Sequence, residues 1–367
     1  MNSALTPGSG GKARRTRVLV ADDSASQRMR LISWLESDPE LEVVGWATNG
    51  LEAVRLALAL KPDVVTMDLR MPVMDGIEAT RRIMEECPTP VVMVTVSASR
   101  ERQQFIAEAF DAGVLAILRK PIPGPNEKET VRELLRTVKS MSQVVVIRRW
   151  QGGIKPSFHS SVTSLPSTPM GGKAAAHRLE VVTIGASTGG PQALKEVLSH
   201  LPSDFPLPVL VVQHIAQGFT AGLVDWLRLE CAVPMRVVVE ETPLRAPGVY
   251  VALAGQHMVV KGGSLILTDD PPVSGHRPSA TLLFQSASRL HGPAVLGVLL
   301  TGMGDDGAAG LRDIKRAGGY TIAQDESTSV VFGMPAVAIA MGVVDHVLPL
   351  PLIGNMIVEL ERRSREG

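Results

Sequence analysis

Short β-branched runs alternate with amphipathic helical stretches along most of this chain, and this alternation constrains its fold more than any other feature. Between residues 17 and 140, five predicted strands are each followed by a helical stretch. Residues 151–176 lose this periodicity and are rich in Gly, Ser, Thr and Pro, and the alternation resumes at Val181. Strands that alternate with helices form parallel sheets covered by helices on both faces. The sequence therefore predicts two doubly wound α/β domains joined by a linker.

The second half departs from this alternation at one place. Three short apolar runs at residues 249–252, 258–260 and 264–267 are separated by Gly-Gln-His and Lys-Gly-Gly. Short, closely spaced strands with glycine-containing turns are typical of antiparallel hairpins. We therefore expect an antiparallel hairpin insertion in a sheet that is otherwise mostly parallel.

Composition excludes several classes of protein. A chain of 367 residues is longer than one ordinary core needs, which agrees with two domains. Lys+Arg and Asp+Glu both number 37, and this balance argues against a nucleic-acid binder with a basic surface throughout. Cys87 and Cys231 lie in different halves, which fits a reducing compartment and neither a disulfide framework nor a zinc site.

The sequence also argues against membrane insertion. The N-terminal stretch lacks the apolar core of a signal peptide. The most apolar long region, residues 330–358, is interrupted by Asp345 and by several prolines, so it is a poor membrane span. We therefore expect a cytoplasmic protein.

Polar side chains collect at the ends of the predicted strands in the first half. Asp22 and Asp23 follow the first strand, Asp68 follows the third, Thr95 ends the fourth and Lys120 follows the fifth. Parallel strands deliver their carboxyl ends to one edge, where three carboxylates repel one another unless a cation such as Mg²⁺ neutralises them. A central aspartate beside Mg²⁺, a lysine and a hydroxyl is suited to accept a phosphoryl group. The alternative is that each acid only caps a helix or turn, and it leaves the five matching positions unexplained.

This region resembles a response-regulator receiver domain, which has a flavodoxin-like sheet. The resemblance covers residues 17–124 and is carried by Asp22-Asp23, Met67-Asp68-Leu69-Arg70-Met71-Pro72-Val73-Met74-Asp75-Gly76, Thr95 and Lys120-Pro121. It implies that a histidine kinase phosphorylates Asp68, that Asp22, Asp23 and Asp68 hold Mg²⁺, and that Thr95 and Lys120 support the phosphoryl site. Ile117 stands where receivers commonly carry an aromatic switch residue. We expect this difference to leave phosphorylation unaffected, but it puts in doubt how the signal leaves the domain.

The predicted boundaries are residues 17–141 for the receiver, 142–179 for a flexible linker and 180–362 for a second domain. Within the linker, residues 144–147 followed by Arg148-Arg149-Trp150 are ambiguous. A short strand, an extension of the last receiver helix and a docking segment all remain open for this stretch.

The second domain opens on a serine turn, Gly185-Ala186-Ser187-Thr188-Gly189-Gly190-Pro191. A β-branched strand leads through a Gly-x-Ser-x-Gly frame into a helix that a proline is suited to open. Small neighbours leave the Ser187 hydroxyl uncovered, as a nucleophile requires. The alternative is a glycine-rich turn that only connects a strand to its helix.

A serine nucleophile needs a base and an acid that orients the base. Among the eight histidines, His214 closes an apolar strand at the same predicted sheet edge as Ser187, while His276, in a loop, stays open as a candidate. The glycine-rich turn at residues 301–307 offers Asp305 and Asp306 as the acid, and its N–H groups suit an oxyanion site. The order Ser-His-Asp differs from that of α/β-hydrolases, but geometry rather than order defines a triad.

The second domain is similar to the catalytic domain of chemotaxis protein-glutamate methylesterases, the CheB family. The matching pieces are Gly185-Ala186-Ser187-Thr188-Gly189-Gly190-Pro191, Gln213-His214-Ile215, Gly218-Phe219-Thr220, His276-Arg277-Pro278-Ser279, Leu300-Thr301-Gly302-Met303-Gly304-Asp305-Asp306-Gly307-Ala308, Gln324-Asp325-Glu326 and Val331-Phe332-Gly333-Met334-Pro335. The resemblance implies Ser187 as nucleophile, His214 as base and Asp306 as orienting acid. It places Thr188 and the backbone of Met303 at the oxyanion site, and it gives Asp305 a variable position.

The resemblance also implies the activity and its control. The family hydrolyses glutamate methyl esters on cytoplasmic helices of chemoreceptors, deamidates receptor glutamines, and needs no cofactor for the esterase reaction. Its unphosphorylated receiver covers the catalytic mouth. Ala216 replaces the usual proline after the histidine motif, and Ala336 stands where a basic residue is common, which could alter contact with an acidic receptor surface.

Three other functions are less consistent with the sequence. A DNA-binding output would need a helix-turn-helix with basic residues, and the second half alternates strands with helices instead. A nucleotide phosphate cradle at the serine turn lacks Gly-x-Gly-x-x-Gly and leaves His214 and Asp306 unexplained. A catalytically silent scaffold conflicts with an intact set of triad residues.

Overall fold

Two large parallel sheets, one in each half of the chain, organise the computed structural model. The structure describes residues 14–95, 100–124, 127–144 and 177–366. Of the predicted linker at residues 142–179, residues 145–176 lie outside the described residues, and with them all of the ambiguous segment except Val144.

The first sheet has the predicted five parallel strands. The strands are β1 Thr16–Ala21, β2 Leu41–Ala47, β3 Val64–Met67, β4 Val91–Thr95 and β5 Ala116–Arg119, and the helices are α1 Ala25–Glu36, α2 Gly50–Leu60, α3 Gly76–Glu86, α4 Arg100–Asp111 and α5 Glu127–Met141. The strand order β2-β1-β3-β4-β5 is that of flavodoxin-like folds. This confirms the fold class predicted for the first half.

Sequence signals explain where the helices of this sheet begin. Asn49 precedes α2, and its side chain accepts a hydrogen bond from the Glu52 N–H, while the Glu52 carboxylate accepts one from the Thr48 N–H. Asp75 precedes α3 and accepts hydrogen bonds from the N–H groups of Ile77 and Glu78. Such reciprocal capping satisfies N–H groups that have no partner within the helix.

The second half forms a seven-stranded sheet and a separate three-stranded one. The strands are β6 Val181–Ala186, β7 Pro208–Gln213, β8 Met235–Val238, β9 Thr242–Pro243, β10 Gly248–Ala252, β11 His257–Lys261, β12 Ser264–Thr268, β13 Val295–Leu299, β14 Tyr320–Gln324 and β15 His346–Leu348, and the helices are α6 Gly190–Ser199, α7 Thr220–Glu230, α8 Ala280–His291, α9 Ala308–Arg316, α10 Met334–Ala340 and α11 Leu350–Glu366. The main sheet has the order β15-β14-β13-β6-β7-β10-β8. All six pairs of neighbouring strands in this sheet are parallel.

The hairpin prediction is correct for two of its three strands. β11 pairs antiparallel with β12, and β9 lies beside β12. The prediction is wrong for residues 249–252, which belong to β10 and lie between β7 and β8 in the parallel sheet. All five residues of β10 are buried, because neighbouring strands flank it and both of its faces are covered.

The strand order of the main sheet locates a crevice. From β6 the chain proceeds outward to β7 and to the edge strand β8, places β10 between these two strands, and then returns to place β13 on the other side of β6. The order therefore reverses between β6 and β13. In open α/β sheets, ligands bind at the carboxyl ends of the strands beside such a switch point.

Among the helices that the structure describes, none combines the length and apolar character that crossing a bilayer requires.

Candidate active site

Ser187 lies at the carboxyl end of β6, beside this switch point. Its N–H donates a hydrogen bond to the Thr301 carbonyl (3.0 Å), and its own carbonyl accepts one from the Gly190 N–H (2.8 Å). Gly189 has a φ of +75°, which lets the chain turn sharply into α6. Ser187, which is 7% exposed, is therefore held at the carboxyl end of β6 by backbone hydrogen bonds on both sides.

A glycine in the neighbouring turn permits the close approach of the two strand ends. A Cβ atom at Gly302 would lie 2.6 Å from the Ser187 Cβ, a distance that real side chains do not reach. The Gly302 N–H donates to the Val331 carbonyl (3.0 Å), and the Gly302 carbonyl accepts from the Met334 N–H (2.8 Å). The turn after β13 is thus fixed against the serine turn.

His214 follows β7 and contacts Asp306 directly. Its Nε2 lies 2.9 Å from the Asp306 Oδ2, and the two side chains are 8% and 0% exposed. A carboxylate only accepts hydrogen bonds, so Nε2 carries the proton and Nδ1 is left with the lone pair. Nδ1 is buried and makes no hydrogen bond to any described residue, so the structure does not contain a hydrogen bond between Ser187 and His214. Hydrogen bonds of this kind often form only when substrate binds.

Three further groups hold the Asp306 carboxylate. Its oxygens accept hydrogen bonds from the Ser279 hydroxyl (2.7 Å), the Ala280 N–H (2.7 Å) and the Thr281 N–H (3.1 Å). Burial by itself would raise the pKa of Asp306, but hydrogen bonds from His214, Ser279 and Thr281 hold that pKa below its ordinary value. Asp306 is therefore a buried anion at neutral pH, at the N-terminus of α8.

Burial separates the two aspartates that the sequence left open. Asp306 is buried, whereas Asp305 is exposed. Of the two, Asp306 is the one in contact with His214. An acid that orients a base needs this dry contact.

His276 contributes to the site in a way that the sequence did not reveal. Its ring stacks on the His214 ring, with centroids 3.8 Å apart and planes 7° apart. Ser279, which donates to Asp306, was also not predicted as a site residue. Both belong to the motif His276-Arg277-Pro278-Ser279 that carried the family resemblance, so the signal was present without an assigned role.

The two residues predicted for the oxyanion site lie in the turns that flank Ser187. Thr188 follows it directly, and the Thr188 carbonyl accepts a hydrogen bond from the Thr301 hydroxyl (2.9 Å). Met303 follows Gly302 in the turn after β13, and both Thr188 and Met303 are half-buried. They therefore flank the serine from two neighbouring strand ends.

A second group of polar residues lies at the carboxyl edge of the first sheet. Carboxylate oxygens of Asp22, Asp23 and Asp68 lie within 4.8 Å of one another. Asp22 accepts a hydrogen bond from the Ser24 N–H (3.0 Å), and Asp68 accepts one from the Leu69 N–H (2.8 Å). Three converging carboxylates of graded burial are a set of hard oxygen donors that fits Mg²⁺.

The other predicted receiver residues lie at the ends of β4 and β5. Thr95 ends β4, Lys120 follows β5, and the Lys120 N–H donates to the Thr95 carbonyl (2.9 Å). Both side chains are buried, as is that of Ile117 within β5.

Comparison with known proteins identifies both halves. The family model for CheB methylesterase matches residues 182–357, and that for the response regulator receiver domain matches residues 18–134. A protein-glutamate methylesterase/protein-glutamine glutaminase of Myxococcus xanthus is 45% identical over 351 residues, which cover 95% of this chain and 98% of that protein. One from Anaeromyxobacter dehalogenans is 46% identical over 352 residues, covering 96% and 99%. The catalytic domain of a CheB methylesterase from Thermotoga maritima has 34% sequence identity and a TM-score of 0.48, covering 50% of this chain and 98% of that one.

Proposed function

This chain belongs to the CheB methylesterase family, and from that membership we propose that it is a phosphorylation-activated protein-glutamate methylesterase and protein-glutamine glutaminase. Its substrates are methylated glutamates and selected glutamines on the cytoplasmic helices of chemoreceptors. The observation that carries the proposal is the buried His214–Asp306 pair, which lies at the same sheet edge as Ser187.

Each residue has one task in the proposed reaction. The Ser187 hydroxyl attacks the ester carbonyl as His214 Nδ1 takes its proton, and Asp306 stabilises the imidazolium that results. The N–H groups around Thr188 and Met303 stabilise the oxyanion. The imidazolium returns the proton to the leaving group, so methanol departs from an ester and ammonia from an amide. Water activated by His214 then hydrolyses the acyl-enzyme and restores glutamate.

Phosphorylation of Asp68 by a chemotaxis-type histidine kinase is the proposed control. Asp22, Asp23 and Asp68 would hold Mg²⁺, which supplies positive charge next to the incoming phosphoryl group. Lys120 and Thr95 would contact the phosphoryl oxygens once the group is in place. The unphosphorylated receiver is proposed to restrict access to Ser187.

Methanol release from methylated receptor membranes tests the catalytic assignment. Ser187→Ala should lower the rate by about 10³-fold or more, because no other group supplies the nucleophile. Asp306→Asn should lower it strongly as well, whereas the matched variant Asp305→Asn, exposed and one position away, should keep the wild-type rate. Release by Ser187→Ala at the wild-type rate would disprove the assignment.

Small phosphodonors test the regulatory assignment. Acetyl phosphate with Mg²⁺ should raise the esterase rate of the wild type and leave Asp68→Asn unchanged. Asp75→Asn is the matched control in the same loop, because asparagine caps α3 as well as aspartate does and the loop keeps its shape. Activation of Asp68→Asn to the wild-type level would exclude Asp68 as the phosphoacceptor.

A further inference from the structure

Gln213 is a buried side chain at the active site to which neither the proposed reaction nor the sequence analysis gives a task. It is the last residue of β7, directly before His214, and it is 2% exposed. Its amide nitrogen donates two hydrogen bonds, one to the Ser187 carbonyl (2.7 Å) and one to the His214 carbonyl (2.8 Å). Two carbonyl oxygens at these distances require the NH₂ end of the amide, so its orientation is fixed. One side-chain group therefore joins the main chain of the nucleophile to that of the base.

The Gln213 amide adds a connection between β6 and β7 beyond the last backbone hydrogen bond that joins these two strands. Ala186 pairs with Gln213 across β6 and β7, and the His214 N–H donates to the Ala186 carbonyl (2.9 Å). Past this point the two chains separate into their turns, and the Gln213 amide supplies the next connection. The Gln213 amide thus connects the Ser187 backbone to the His214 backbone beyond the last pair of the two strands.

The oxygen of the same amide faces Gly190, the first residue of α6. It is buried and accepts no hydrogen bond from any described residue. A Cβ atom at Gly190 would lie 2.0 Å from this oxygen and 2.8 Å from the amide carbon. The φ of Gly190 is not positive, and alanine favours helices over glycine, so the glycine is needed for space rather than for conformation.

We propose that Gln213 is a positioning residue for hydrolysis, which holds the Ser187 turn at the working distance from the His214 turn in a space that Gly190 keeps open. The inference rests on the proposed roles of Ser187 and His214. The competing explanation is that Gln213 only stabilises the fold, as any buried and hydrogen-bonded amide does.

Gln213→Met tests the inference, because methionine fills a similar volume with an unbranched chain and donates no hydrogen bond. Misplacement of reacting groups by about 1 Å costs about 10²-fold in rate, so kcat for methanol release should fall by about 10- to 100-fold. KM should stay within about twofold, because Gln213 is buried and does not meet the substrate. If Gln213 only stabilised the fold, Gln213→Met would lower the melting temperature, and its kcat would equal that of wild type at temperatures well below the melting temperature.

Gly190→Ala displaces the same amide from its other side and should give the same loss of kcat with an unchanged KM. Tyr250→Phe is the matched control: the Tyr250 hydroxyl makes two hydrogen bonds to Arg245, before the start of β10 at the opposite end of the sheet. It should lower the melting temperature and keep wild-type kcat.

The outcomes separate this inference from the proposed function. If wild type releases methanol and Ser187→Ala does not, the proposed function stands, and Gln213→Met with kcat within twofold of wild type then overturns the inference alone. An equal loss of kcat in Tyr250→Phe also overturns it. If Gln213→Met does not fold, Gly190→Ala decides, and wild-type kcat in that variant refutes the positioning role.

Discussion

Among single residues, Asp306 is held by more donors than the orientation of one histidine requires. Ser279 both donates to Asp306 and caps α8, where its hydroxyl accepts a hydrogen bond from the Leu282 N–H. The Asp306 charge is therefore fixed by the start of a helix as well as by His214. This arrangement keeps the Asp306 carboxylate ionised although it is buried. A buried negative charge stabilises the imidazolium that His214 becomes when it accepts a proton.

We expect Ser279→Ala to lower the free energy of unfolding by about 1.5–3 kcal/mol, the range for a hydrogen bond to a charged group. It should also lower kcat several-fold, because Asp306 would gain freedom to rotate. Urea unfolding and methanol release measure the two effects. Ser286→Ala is the control on the same helix, since its hydroxyl bonds only neutral backbone groups. It should cost about 1 kcal/mol and leave kcat unchanged, and equal effects in both variants would contradict the argument.

The lowered pKa of Asp306 predicts a dependence of stability on pH. A carboxyl group whose pKa is lower in the folded chain than its ordinary 3.8 stabilises the fold fully above 3.8. This contribution is lost as the pH falls toward the lowered pKa. The difference in unfolding free energy between wild type and Asp306→Asn should therefore shrink as the pH falls from about 4.5 to about 2.5. A difference that stays constant over this range would disagree with the proposed environment of Asp306.

The sequence indicated candidate residues at strand ends but not the packing around them. Strand ends pointed to Ser187 and His214 without coordinates, because parallel strands deliver their last residues to one edge. Spacing could not distinguish Asp305 from Asp306, since the two differ in burial, which is a property of packing. The stacked ring of His276 and the amide of Gln213 were beyond prediction for the same reason.

At the scale of elements, glycines decide how closely the turns approach the functional side chains. A Cβ atom at Gly76, where α3 begins, would lie 2.0 Å from the Asp68 carbonyl oxygen. The neighbour is backbone and cannot rotate away, so the turn around Asp68 depends on this glycine. The turn at Gly302 likewise depends on its glycine, because a Cβ atom there would lie 2.6 Å from the Ser187 Cβ.

Gly76→Ala should shift the Asp68 backbone and slow phosphorylation by acetyl phosphate about 10-fold or more. It should also destabilise the receiver by about 1–3 kcal/mol, as overpacking does. Gly45→Ala is the comparison, because its Cβ would meet side-chain ends rather than backbone: that of Leu60 at 2.6 Å and that of Leu19 at 3.5 Å. Intact-protein mass spectrometry follows phosphorylation. Equal rates in the two variants would show that the Gly76 contact does not control Asp68.

The sequence predicted helices and strands well where apolar periodicity and capping residues marked them, and poorly at β10. The receiver strands and helices agree with expectation, since apolar runs and capping residues mark their limits. β10 was taken for a hairpin strand because its neighbours in sequence are hairpin strands. Its continuous apolar character was the better guide, because a strand covered on both faces has no polar side.

For the whole molecule, the two sheets carry separate chemistries that the proposed regulation must connect. A chain of residues 177–367 retains the seven-stranded sheet and all three proposed triad residues. We expect it to release methanol faster than the unphosphorylated full-length chain, because no receiver restricts access to Ser187. Side-by-side rates on the same receptor membranes measure this. A truncated chain that folds and is no faster than the unphosphorylated full-length protein would contradict inhibition by the receiver.

The reversal of strand order between β6 and β13 also has a consequence for synthesis. Ser187 and His214 leave the ribosome early, but β13 must be translated before it can pair with β6 and bring Asp306 to the histidine. Closing so long a loop is slow relative to local contacts. A nascent chain that ends before β13 carries the serine and the histidine without their acid. Under the proposed assignment of Asp306, the complete set of Ser187, His214 and Asp306 therefore forms only after β13 has paired with β6.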